Sequence, residues 1–201
     1  GRAAEAPFMA LTGSGSPFKT AADIKGKTVR VGVTALEIIP ATAVLKALGA
    51  TTVKTTVFDG APEATQAAMR GDLDMVFTTF PTLLKNLQGS DGKLVALFVA
   101  SDKRRPEVPD VPTVKELGGD LPAALLGVDR LIAAPAGVPD DVLKILDAAL
   151  QKAVRDPDFI AQMDKAGYLP KAGTADESKT AVGVVLDTFE KNKDALAAAG
   201  Q

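Results

Sequence analysis

Between residues 27 and 100 the chain alternates short apolar or β-branched runs with Ala- and Leu-rich runs that favour helix. The strand-like runs are 27–33 (KTVRVGV), 51–57, 73–77 and 94–100 (LVALFVA). They are short, and the later ones are mostly apolar, as strands covered on both faces are. The helix-like runs are 40–48, 64–69 and 81–87, with Pro40, Pro62 and Pro81 at or near their starts and Gly49, Gly71 and Gly89 just past their ends. Strand-helix-strand order of this kind implies parallel pairing with right-handed crossovers. In open α/β sheets ligands sit beyond the carboxyl ends of the strands, against helix N-termini. Three exit loops therefore become candidate pocket walls: Thr34, Ala35 and Leu36; Asp59, Gly60 and Ala61; and Thr78, Thr79 and Phe80.

Composition removes many chemistries. The 201 residues contain no Cys and no His. That excludes Cys and His nucleophile systems, Ser-His-Asp triads and the usual zinc sites. Net charge is −2, and the basic residues are dispersed, so no nucleic-acid partner is expected. No apolar run reaches membrane-span length; the best, 123–138, is broken by Asp129, Arg130 and Pro135. No signal peptide is recognisable at the start. Neither catalytic nor metal-binding residues nor a cofactor are expected.

Outside the alternating block, 6–12 reads as an entering strand and 13–17 (GSGSP) as a loop. The latter lacks the spacing of a nucleophile elbow or a phosphate loop. Residues 20–24 fit one helical turn. Pro106, Pro109 and Pro112 make 102–112 an extended loop. Thr113 and Glu116 have capping-box spacing and open a short helix closed by Gly118 and Gly119. A strand is expected within 124–134, best at 130–134, followed by helices from 140, from Asp156-Pro157 to 167, and over 176–198. Val142, Ile145, Leu146, Ala149, Leu150 and Ala153 fall on one face of the first of these. This part supplies apolar helix faces with hardly any strands to cover.

Residues 103–118 (KRRPEVPDVPTVKELG) resemble the signature loop of the solute receptors of tripartite tricarboxylate transporters. Three further segments resemble the same family in the same order. They are 16–20 (SPFKT) with Asp23, then Gly71-Asp72-Leu73-Asp74, then 134–139 (APAGVP). The resemblance implies an α/β fold of the type II periplasmic-binding-protein kind: a parallel-sheet lobe over 6–128, and a helix-rich, incomplete part of a second lobe over 129–201. It also implies a periplasmic or extracytoplasmic receptor that closes on a small organic acid and delivers it to membrane transporter subunits. Such receptors hold carboxylates largely through backbone amides and waters at loop ends.

Two features depart from the family. No match to its N-terminal segment is found, so further chain or a second chain is expected to complete the fold. The loop after the strand at 27–33 is bulky and acidic where relatives are small. A Glu beside a carboxylate site repels the ligand, so either the ligand is less acidic than the family's usual one or Glu37 points to solvent, and the second is the expectation. The position of Thr78 often holds an acidic residue in relatives. Thr78 is the residue expected to touch the ligand, Thr79 to cap the next helix, and Phe80 either to cover the ligand or to pack in the core. A different class of reading is the effector-sensing domain of a LysR-type regulator, which would need a DNA-binding module upstream. A plainer one is that only the lobe fold is shared. An enzyme would need Asp, Glu or Lys for proton transfer. The pairs Asp72/Asp74 and Asp140/Asp141 read instead as a turn and a helix N-terminus.

Overall fold

The structure is a computed structural model and describes residues 1–191. In chain order its elements are β1 (Arg2–Gly13), β2 (Thr28–Val33), α1 (Ile38–Ala47), β3 (Thr52–Val57), α2 (Ala61–Arg70), β4 (Met75–Thr79), α3 (Phe80–Gln88), β5 (Leu94–Ala100), β6 (Gly127–Leu131), α4 (Asp140–Ala153), α5 (Pro157–Lys165), β7 (Leu169–Gly173) and α6 (Ala175–Lys191). Short 3₁₀ turns occur at Ala21–Ile24, Ala35–Glu37 and Ala123–Leu125.

One mixed sheet carries the fold, in the order β3-β2-β4-β1-β5, with β6 and β7 also paired to β1. The expected parallel pairing holds for β2 with β3 and with β4. It fails at β5, because β1 lies between β4 and β5 and is antiparallel to both. β4 and β5 keep a common direction, but an N-terminal strand separates them.

The expected strand at 6–12 proves longer. From Phe8 onward β1 pairs with β4 and β5; its first half pairs with β6 and β7. The second part of the chain is thus not short of a sheet: β6, β7 and the start of β1 form one. β7 was not anticipated, since LPKAG is short and carries Pro170. Nor does the strand near 130 run to 134; it is shifted toward the N-terminus and ends at Leu131.

Alternation along β1 sorts the core into two faces. Phe8 and Ala10 join Phe77, Phe98, Val31 and Leu45 on the α1 side. Met9 and Leu11 join Val76, Val99, Ala64 and Leu83 on the side of α2 and α3. Every residue of β4 is buried: Met75, Val76 and Phe77 are apolar, and Thr78 and Thr79 are buried with their hydroxyls bonded to Glu37 and Thr82. Gly71 ends α2 with φ +82°, a conformation a side chain resists, and its N–H returns to Ala68 O. At Gly32 an added Cβ would come within 2.8 Å of Leu73 Cδ1 and 3.2 Å of Ala64 Cβ, so this Gly allows α2 to approach β2 closely.

Two local expectations are corrected. Residues 34–39 are not an open loop: Ala35–Glu37 turns once and runs directly into α1 at Ile38, leaving Pro40 in the first helical turn, where its missing N–H costs nothing. Thr113 and Glu116 do exchange capping bonds, Thr113 N to Glu116 Oε2 at 2.8 Å and Glu116 N to Thr113 Oγ1 at 3.1 Å. Only turns follow, however, before Gly118 at φ +83°. The proline loop before them is a series of turns rather than extended chain. The final helix is described to Lys191; the remainder of the expected 176–198 span lies outside the described residues.

Candidate functional site

Parallel pairing sets the exits of β2, β3 and β4 side by side. Val33 is in register with Val57 and Gly32 with Val76, so Thr34 and Thr78, two residues on, lie at the same level of adjacent strands. Phe58 N donates to Val33 O at 2.9 Å and ties the β3 exit to the β2 exit. Thr34 is half-buried, while Ala35, Leu36 and Asp59 are exposed. Gly60 is the N-cap of α2 and Ala61 its first residue; Ala61 O accepts from Thr65 Oγ1 at 2.7 Å.

Glu37 joins two of these loops, against expectation. It is 6% exposed rather than turned to solvent. Its Oε2 accepts from Thr34 N and Thr34 Oγ1, each at 2.7 Å, and its Oε1 accepts from Thr78 Oγ1 at 2.5 Å. The physical reason is local. Thr34 and Glu37 have capping-box spacing, and the turn brings the carboxylate back over its own N-cap, where Thr78 supplies a third donor. No cation lies within ion-pair distance of Glu37 among the described residues.

Thr79 is the N-cap of α3, but its hydroxyl meets Thr82 Oγ1 at 3.0 Å and makes no capping bond. Phe80 has no accessible surface and packs with Leu83, Leu84 and Val99, so of its two readings the core one is observed and its ligand-contact role is withdrawn. The Arg105 guanidinium stands 5.2 Å from the Phe80 ring centroid and pairs with Glu107 at 2.6 Å. This buried Arg fixes the proline loop over the start of α3, and nothing in the sequence pattern announced it.

The signature loop serves its own geometry. Arg104 Nε lies 3.0 Å from both oxygens of Glu116, and Arg104 Nη1 donates to Pro109 O at 3.1 Å. Thr113 N holds the Glu116 carboxyl below its usual range, with Arg104 assisting. Asp23 likewise accepts from Lys19 N, Thr20 N and Thr20 Oγ1. Asp74, at the opposite end of β4 from Thr78, accepts from Arg30 N at 2.8 Å and Arg30 Nη2 at 2.7 Å. These motif residues build turns and sheet edges.

A cavity of about 450 Å³ opens between β1, β6 and α6. Phe8, Leu36, Pro40, Val128, Leu131 and Leu186 are among its walls, and its charged members are Arg2, Asp129 and Lys171. Of the nine residues expected at the site, it includes Leu36 alone.

Residues 21–200 match the family described as tripartite tricarboxylate transporter family receptor. The chain belongs to that family. The LysR-type reading has no comparable support, and the family is one of receptors rather than enzymes. A protein of Pseudomonas sp. strain P51, described as a UPF0065 protein in the tcbD-tcbE intergenic region, is 29% identical over 137 residues. That match spans 68% of this chain but 38% of the relative. Among solved structures, a TctC solute-binding protein from Polaromonas has a TM-score of 0.70 at 22% identity, covering 98% of this chain and 68% of that one. An R. palustris protein solved with adipate has a TM-score of 0.76 at 17% identity, covering 98% and 67%. These likenesses establish a mixed α/β fold of the periplasmic-binding-protein kind for this family member.

Proposed function

We propose that this protein is the solute-binding component of a tripartite tricarboxylate-type transporter. It captures a small organic acid outside the cytoplasm and passes it to membrane subunits. The observation that carries this is the convergence of three strand exits, at Thr34–Leu36, Asp59–Ala61 and Thr78, on one end of a parallel arrangement in a chain of this receptor family. An adipate-bound relative supports an acid as ligand. The ligand-binding lobe is taken as 6–128 and the other lobe as starting at 129, with β1 and β6 crossing that boundary and further chain or another subunit covering the open helix faces. Ala35, Leu36 and Asp59 are the exposed part of the proposed wall, Thr34 and Gly60 are half-buried in it and Ala61 is buried behind it; Thr78 braces it through Glu37, and Thr79 lies at the start of α3 beside it. Among the described residues no helix is long and apolar enough to cross a membrane.

The test is calorimetry and thermal denaturation with a panel of mono-, di- and tricarboxylates, amino acids and aromatic acids. One acid class should bind one-to-one and stabilise the fold by about 2.7 kcal/mol at a hundredfold excess over Kd. A folded protein stabilised by none of them would reject the receptor reading, and turnover of any of them would point to an enzyme.

A further inference from the structure

We propose that the outer edge of the sheet, β3, is an interface for a second copy of this chain, which pairs antiparallel to it about a two-fold axis at Thr55. The inference does not depend on the identity of the ligand. Among the described residues β3 pairs with β2 alone, so its other side presents unpaired backbone donors and acceptors. The ladder to β2 runs unbroken from Thr28–Thr52 to Val33–Val57, so the edge has no bulge to turn it away. Its sequence, TVKTTV, is β-branched apart from one Lys and contains neither Pro nor Gly. None of its residues is buried, and Val57 is 42% exposed. Proteins guard such edges with Pro, bulges or several charges; β3 has Lys54 alone.

The side chains select a second copy as the occupant. A two-fold axis normal to the sheet opposes residues of the same face, so the pairing centres on one residue that meets itself. Centred on Lys54, it would oppose two like charges, which is destabilising. Centred on Thr55, it opposes Thr55 to Thr55, Val53 to Val57, and Lys54 to Thr56. Thr–Thr pairs and pairs of β-branched apolar residues are favourable across strands. Val53 already packs against the core on the α1 side, and Val57 of the second copy extends that apolar surface.

Charge points the same way. Just before β3, Thr51 N donates to Lys27 O, and Thr51 O accepts from the Lys46 ammonium. Lys27 and Lys46 are both exposed. Just beyond β3 come Asp59 and, in the first turn of α2, Glu63, also exposed. With Thr55 at the axis, Thr51 lies opposite Asp59 of the second copy. The basic start of each edge therefore meets the acidic end of the other, twice. A parallel arrangement would set like charge against like. Of the proposed ligand wall only the β3 exit at Asp59 approaches this contact; Ala35 and Leu36 follow the neighbouring strand, β2.

The chain has no Cys, so a single introduced one reports the geometry. Directly opposed Cα atoms of an antiparallel pair lie about 4.5–5.5 Å apart, within disulfide reach. Thr55→Cys should therefore give a disulfide-linked dimer under oxidised glutathione at about 100 μM protein, where an interface of this small size is populated. Thr52→Cys lies on the same strand but roughly 20 Å from its own copy, and should link about tenfold more slowly or less. Sedimentation of the Ile145→Lys chain, in which the apolar face of α4 is interrupted, should still show a monomer–dimer equilibrium. In that background Thr55→Lys opposes two ammonium groups at the axis and should weaken dimerisation about tenfold or more, with the melting temperature unchanged. Lys46→Glu should also weaken it, and adding Asp59→Lys should restore it. Thr52→Cys linking as fast as Thr55→Cys is random collision and overturns the proposal. Dimerisation indifferent to Thr55→Lys, or a charge swap that restores nothing, places the contact elsewhere and overturns it too. So does a chain that stays monomeric, whether hydrogen exchange finds the β3 amides open or covered by its own residues. None of these outcomes touches the receptor reading, which acid binding alone decides.

Discussion

At the scale of single residues, Glu37, Thr34 and Thr78 form one feature. The Glu37 carboxylate accepts from the Thr78 hydroxyl as well as from Thr34. Thr78→Val removes a donor from a buried, charged acceptor and leaves nothing polar in its place. The expected loss of stability is about 1.5–3 kcal/mol in urea unfolding. A loss below about 0.5 kcal/mol would mean that Glu37 is satisfied by other donors and that the loop is not held as described. Phe80 shows the limit of reading single residues: an aromatic at a helix start after a strand suits a ligand cover and a core plug equally. The deciding fact is that the proline loop, carrying Arg105, lies across it.

At the scale of elements, the Thr113–Glu116 box forms its reciprocal bonds without a helix behind it. Its task is to close the signature loop onto β5, where Val99 N donates to Pro112 O and Val114 N to Val99 O. The Glu116 carboxyl is held below its ordinary value of 4.5, chiefly by the Thr113 N–H. A depressed folded-state pKa stabilises the fold above the unfolded value, and that contribution disappears as pH falls through the folded pKa. The stability difference between wild type and Glu116→Gln should therefore be constant above about pH 5 and shrink as pH drops below 4.5. Chemical denaturation at a series of pH values reads this directly, and a difference that stays constant into acid would show that the Glu116 carboxylate is not selectively bonded in the fold.

At the scale of the whole molecule, the two parts of the chain are unequally covered. The helices against β2, β4 and β1 bury both faces of the sheet. α4 and α5, by contrast, have no buried residue at all; Ile145 is 68% and Leu146 52% exposed. A continuous apolar face of this kind is larger than soluble monomers ordinarily leave open. The 201-residue chain should bind an apolar fluorescent dye and self-associate in sedimentation. Ile145→Lys should reduce both, with stability unchanged within about 0.5 kcal/mol. A monodisperse wild type that binds no dye would mean that this face is covered in solution by the chain itself.

The local elements were written in the chain because their causes are local. Proline near a helix start, Gly71 at a helix end, β-branched residues in β2 and the apolar runs of β5 and of Met75–Phe77 in β4 act over a few neighbours. The helix from 140 followed from the spacing of Val142, Ile145 and Leu146, and the next from Asp156-Pro157, in the same way. Tertiary structure alone decided the place of β1. Its pairing with four partners depends on residues up to 171 positions away, and a short apolar run such as APFMALT does not name its partners. β7 was hidden because LPKAG has little strand propensity and is held by its partner β1. Glu37 was misjudged for the same reason: its capping spacing with Thr34 is local, but its burial depends on Thr78, which reaches it only through the parallel register of β2 with β4.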